Sequence, residues 1–172
     1  MGLKPYDPLS PSKLAEYLEV DLLTPKEVAN TDPAHLKQLL EVDVDGWSAM
    51  TLATNGKNTV IFNPKHSAGR QASDIMHELA HLLAKHDRSK LIISPTGDIL
   101  RSFDEKQEDE ANWLGGCLLL PRDALLNVKR NRMTDQQIIE RYGVSAALLS
   151  WRVRGTGVDR QISRTGERRV RV

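Results

Sequence analysis

Five residues near the middle of the chain, His77-Glu78-Leu79-Ala80-His81, constrain its folding more than any other feature. Two histidines four apart converge only on a helix, where that spacing returns a side chain to nearly the same face. Both imidazoles can then reach one cation, and Glu78 stands at the edge of the same face, beside the cation's open position. The neighbouring residues agree with a helix. Ser67 reads as its cap, and Arg70, Ile75, Leu79, Leu82 and Leu83 follow a helical period until the polar run His86-Asp87-Arg88-Ser89-Lys90 ends it. Such a helix offers an apolar stripe to a core and a polar face to chemistry.

Upstream, three prolines stand just inside expected helix starts, where a missing N–H costs nothing: Ser10-Pro11, Thr24-Pro25-Lys26-Glu27 in the form of a capping box, and Asp32-Pro33. The period then changes to two. Ala49–Thr54 and Thr59–Phe62 flank Asn55-Gly56-Lys57-Asn58, which predicts a β-hairpin whose turn accepts positive φ. Leu91-Ile92-Ile93 and Ile99-Leu100 suggest a second, shorter strand pair or a loop over the sheet. Helix returns from Asp104 to Leu120, is stopped by Pro121, and resumes over Asp123 to Lys129. Two more helices are expected, capped by Thr134 and Ser145, separated at Gly143 and ending at Gly155; their outline is that of a helix-turn-helix. The fold class is therefore α+β, with the His-Glu-His helix packed on a small, mostly antiparallel sheet between a helical N-terminal segment and a helix-turn-helix-like C-terminal region. The expected division is 1–130 for the domain holding the site, 131–156 for the two-helix region and 157–172 for a basic, flexible tail.

Two histidines make half a site, because a catalytic zinc takes three protein ligands and keeps one position open. The third ligand is sought in Asp104-Glu105-Lys106-Gln107-Glu108-Asp109-Glu110-Ala111-Asn112. Glu108 is chosen because Asn112, four residues on, shares its face and supplies a hydrogen-bonding neighbour; Glu110 is the second choice. Asp74, one turn before His77, is either a partner behind a ligand or a solvated residue, and Arg70 orients a carboxylate or lies exposed. His66 is a candidate to stabilise an oxyanion, against a turn or capping role, while His86 reads as a cap of the helix end and His35 as a residue of a polar face. Cys117 reads as a buried thiol, and Trp47 and Trp113 as core aromatics.

The string from Ser67 through Arg70, His77-Glu78-Leu-Ala-His81-Leu-Leu, followed by Glu108-Asp-Glu-Ala111-Asn112 and Leu118-Leu119-Leu120-Pro121, resembles the ImmA/IrrE metallopeptidases. The resemblance covers roughly Trp47 to Gly155 and departs mildly, with Leu114-Gly115 where Phe-Ala is usual and Leu120 where Met is usual. It implies that His77, His81 and Glu108 hold one zinc ion and that Glu78 is the general base of peptide hydrolysis. It also implies regulated, limited proteolysis of a protein partner, typically a helix-turn-helix repressor encoded alongside, in stress, mobile-element or phage-defence responses.

Composition trims the other classes. Lys+Arg 24 against Asp+Glu 23 gives no whole-molecule attraction to nucleic acid. The exception is the tail, where seven arginines between Trp151 and Val172 face only Asp159 and Glu167. Arg152 and Arg154 are the nearest candidates for phosphate contact, but the second helix of the pair opens Ala146-Ala147-Leu148-Leu149, with little to read a base edge, so packing or partner docking is favoured over DNA. A single cysteine, the lack of an apolar leader and the lack of an apolar run of about 20 residues point to a cytoplasmic chain that enters no membrane. The competing reading is a zinc-containing regulatory or DNA-binding module without significant peptidase activity; a closed structural site, however, would have no use for Glu78.

Overall fold

Each proline-marked start in the N-terminal third does begin a helical turn, but the three differ in length. A computed structural model describes residues 1–28, 31–54, 56–87, 91–93, 99–101 and 104–163. α1 (Pro11–Tyr17) is a full helix whose Ser10 Oγ accepts the Lys13 N–H. The second start yields only a 3₁₀ turn, Pro25–Glu27, held by the Glu27 carboxylate accepting from the Thr24 N–H and hydroxyl. Those two bonds hold the Glu27 carboxyl below its ordinary value. α2 (Pro33–Lys37) is short and widens into a π-helical turn, Gln38–Val42.

The sheet is mixed rather than mostly antiparallel. β2 (Ala49–Thr54) and β3 (Lys57–Phe62) form the expected antiparallel hairpin, with Gly56 at φ 79°. β3 begins two residues earlier than its alternation suggests, which shortens the loop; Asn55 lies outside the described residues. On the other side of β3 runs a parallel strand, β1 (Asp21–Leu23), giving the order β1-β3-β2. Three residues are too few to show a period of two, so β1 left no pattern in the sequence. β4 (Leu91–Ile93) and β5 (Ile99–Arg101) form the shorter antiparallel pair, and the segment joining them lies outside the described residues.

α3 (Ala68–Ala84) lies on this sheet and against α4 (Glu105–Leu119), which is capped by the Asp104 side chain. α3 buries Ile75, Met76 and Leu79, each worth roughly 1.5–3 kcal/mol once removed from water. Ser67 occupies its N-cap position without a side-chain bond. α5 (Arg122–Arg130) follows Pro121, and α6 (Asp135–Tyr142) and α7 (Ala146–Thr156) carry their expected caps: Thr134 accepts from Gln137 and Ser145 from Leu148. The turn between α6 and α7 is wedged against the start of α3, where a side chain at Gly69 would collide with the backbone of Val144 and Ser145. Ile138, Tyr142, Val144 and Leu149 accordingly belong to the same buried cluster as Val60 and Leu79. α7 stops at Gly157, left-handed at φ 64°, rather than at Gly155. The segment assigned to a flexible tail begins as helix over 158–163, with Val158 fully buried and Ile162 packed on the core; 164–172 lie outside the described residues.

Three expectations, for two aromatic residues and one thiol, need correction. Trp113 is 49% exposed and stands edge-on to Trp151, because its position on α4 points away from α3. Trp47 is half-buried, donating its indole N–H to the Leu39 carbonyl, and Cys117 is also only partly buried. None of the helices among the described residues is long and apolar enough to cross a membrane.

The loop leading into α3 is held by Asn63, a buried residue the sequence reading passed over. Its amide donates to the carbonyls of Val44 and Trp47, and its Oδ1 accepts the Lys65 N–H. Asn63→Ala leaves these groups without their partner and is expected to destabilise the fold by about 1–3 kcal/mol. Urea unfolding followed by circular dichroism checks this, and an unchanged midpoint refutes it.

Candidate active site

The site is built by two helices that approach closely because their facing residues are small. Gly115 and Ala111 on α4 are buried against α3, and a Cβ at Gly115 would lie 3.3 Å from the Met76 carbonyl oxygen and 3.4 Å from the His77 Cα. Glu108, two turns before Gly115 on the same side of α4, is thereby carried to the His77 and His81 side chains. Leu79 stands about 200° around α3 from His77 and anchors the opposite face in the core.

Three donor atoms converge. His77 Nε2 and His81 Nε2 are 3.0 Å apart, Glu108 Oε2 is 3.1 Å from His77 Nε2 and 3.6 Å from His81 Nε2. Ligands about 2.0–2.1 Å from a tetrahedral zinc stand about 3.3–3.4 Å from one another, so the observed separations bracket the requirement. The group is one carboxylate and two imidazoles, a donor set suited to zinc, and all three side chains are between buried and exposed. Burial is the largest influence on His81 and holds its imidazole below the ordinary value, assisted by His77 and His86 and opposed by Glu108 and Glu78. A neutral imidazole at pH 7 is the form that ligates.

Glu78 lies beside the cluster, and the Thr51 hydroxyl of β2 donates to its Oε2 at 2.6 Å. Thr51 pairs in register with the fully buried Val60, which places it on the face of the sheet turned to α3. The sequence reading did not single it out; the available signal was the run of small residues Ala49, Thr51 and Ala53 on one face of a strand. The site opens into a cleft of about 720 Å³ whose lining includes Ser48, Ala49 and Thr51 of the hairpin side and Asn112 of α4.

Asp74, Asn112 and the remaining candidates fall into place around this. Asn112 is exposed at the cleft, one turn beyond Glu108. Asp74 also borders the cleft but accepts from His66 Nδ1 at 2.8 Å. The His66 side chain is 2% exposed, its other ring nitrogen lies 3.3 Å from the Asn63 amide, and the residue is not among those lining the cleft. Its role is to tie the entry loop to α3, together with Gln71, whose amide donates to the carbonyls of Pro64 and His66. Arg70 stands 4.0 Å from the Asp74 carboxylate. His86 is not a simple helix cap and Glu110 does not join the cluster; the two contact each other. His35 is exposed on α2.

Arg152 is withdrawn from any phosphate-binding surface. It is 2% exposed, its Nε donates to the Leu120 carbonyl, and its guanidinium lies over the rings of Trp113 and Trp151. Arg154 is exposed.

Two histidines one helical turn apart, a glutamate between them and a carboxylate from a second helix form a donor set of the kind used by metal-dependent hydrolases. The model of the IrrE N-terminal-like domain, a peptidase family, matches residues 15–154, and the chain belongs to this family of ImmA/IrrE type. No curated protein and no solved structure matches the chain significantly.

Proposed function

We propose that this protein is a cytoplasmic zinc-dependent endopeptidase that carries out limited proteolysis of a protein partner. The expected substrate is a helix-turn-helix transcriptional repressor, cut in a stress, mobile-element or phage-defence response. The observation that carries this reading is the convergence of His77, His81 and Glu108 on one point, with Glu78 beside it, along a cleft bordered by an edge strand.

A zinc ion held there supplies Lewis-acid polarisation of the scissile carbonyl and acidifies water. The chain's own residues do the rest. The Glu78 carboxylate takes the proton of the attacking water and returns it to the leaving amine. Thr51 holds that carboxylate in one orientation through its hydroxyl, so the base is positioned before substrate arrives. β2 is the edge of its sheet and pairs only with β3 among the described residues, which leaves its outer side for an extended peptide to add as a further strand. Main-chain pairing of that kind gives affinity with modest side-chain selectivity, and it demands an unfolded or extensible segment in the substrate.

Co-expression with any helix-turn-helix repressor encoded beside this gene, followed by intact-mass analysis, tests the proposal. Fragments are expected with the wild type and none with Glu78→Gln. A repressor left whole by the wild type under stress and with added DNA would refute it as the substrate.

A further inference from the structure

α3 ends in a way that turns a histidine back onto the site. Lys85 is left-handed at φ 56°, the His86 N–H donates to the His81 carbonyl at 3.1 Å and the Lys85 N–H to the Leu82 carbonyl at 3.3 Å. This is the Schellman pattern, which brings the residue two beyond the helix against the residue in its last turn. Here those two residues are His86 and His81. Their Nδ1 atoms lie 3.0 Å apart, with the rings edge-on at a centroid distance of 5.0 Å. The other nitrogen of His86, Nε2, lies 3.2 Å from Glu110 Oε2. The His86 side chain is 7% exposed and that of Glu110 is 67% exposed.

One arrangement of protons satisfies all three groups. With His81 Nε2 turned to the cluster as a ligand, its proton sits on Nδ1 and is donated to His86 Nδ1. His86 must then carry its own proton on Nε2, where the Glu110 carboxylate accepts it. His77 has no such support: its Nδ1 is buried without a hydrogen-bond partner among the described residues. A ligand imidazole is oriented by whatever its second nitrogen donates to, and loss of that partner typically costs 10–100-fold in metal affinity.

We propose that His86 and Glu110 are positioning residues of the metal centre, forming a Glu110–His86–His81 hydrogen-bond chain that fixes the tautomer and ring orientation of His81. The inference rests on the metal-site reading above and adds two residues to it. Glu110, the alternative ligand from sequence, thus acts two hydrogen bonds away from the ion. The single turn between Ala84 and His86 sets the geometry, so the chain needs no contribution from another part of the molecule beyond α4.

Zinc affinity of the metal-free full-length chain, measured by competition with a chromophoric chelator, tests this independently of catalysis. His86→Leu removes the acceptor and is expected to bind zinc about 10–100-fold more weakly. His86→Asn keeps an acceptor near the Nδ1 position and is expected to stay within about threefold of wild type, because only the outer hydrogen bond is lost. Glu110→Ala, at an exposed position that leaves packing intact, removes the same outer bond and is expected to lose about two- to threefold in affinity. Wild-type affinity in His86→Leu or Glu110→Ala overturns the proposal, as does equal weakening by Leu and Asn at position 86, which marks a packing role. If His86→Leu does not fold, the Asn and Ala variants decide the matter. A wild-type chain that takes up no zinc refutes the metal site itself, a result distinct from a zinc-binding chain indifferent to position 86.

Discussion

Glu78→Gln is expected to lower kcat for peptide hydrolysis by about 10²- to 10⁴-fold while the chain retains its zinc. The loss corresponds to about 3–5 kcal/mol of transition-state stabilisation. Glutamine keeps the volume of the side chain, and its amide oxygen can still accept from Thr51, so the fold and the orientation of residue 78 are preserved. What disappears is the basic carboxylate. Because Glu78 acts on water rather than on the peptide, KM should change little, and the deficit should fall in kcat. The converging ligand atoms belong to His77, His81 and Glu108, so the variant should bind one zinc per chain as the wild type does. Product formation by intact mass, with zinc quantified on the same sample, checks both halves. A variant that loses its metal as well would show that Glu78 supports the cluster structurally.

Much of the fold was legible because it depends on short-range rules. Ser10, Thr134 and Ser145 announced helix starts through their caps, and the alternating residues about Gly56 announced a hairpin. The His-Glu-His spacing, read with the Glu108 to Asn112 face, placed three donors on two helices, and the folded chain brings those donors together. The parallel strand β1 was not legible, since its partner is β3, nearly forty residues on, and three residues carry no periodicity. Arg152 was misjudged for a related reason. An arginine in a basic stretch reads as solvated, yet α7 carries it against the Leu120 carbonyl and over the rings of Trp113 and Trp151, a consequence of long-range packing. Trp113 is the converse, an aromatic residue set outward by the face on which Glu108 and Gly115 had to point inward. His86 shows a third limit. Its place behind His81 follows from a left-handed lysine, a conformation that lysine adopts rarely and that no residue pattern here announced.

Glu108→Ala should remove the zinc without removing the fold. The α3–α4 interface is made by Met76, Leu79, Ala111, Gly115 and Leu119, which owe nothing to the Glu108 carboxylate. The variant is therefore expected to unfold near the wild-type temperature when both are metal-free. Its consequences for the metal are much larger. Two histidines 3.0 Å apart remain, but the anionic ligand that completes the three-residue set and offsets the charge of the cation is gone. Zinc content after dialysis should fall from one equivalent to below about 0.1, and peptidase activity should fall to background, since both depend on the complete ligand set. Glu110→Ala is the informative companion, because the same charge is removed one half-turn away. It should keep its zinc through dialysis, with only the weaker chelator competition described above. Loss of zinc from both variants alike would mean that the acidic start of α4 attracts the ion by charge alone; retention in both would move the third ligand to another residue.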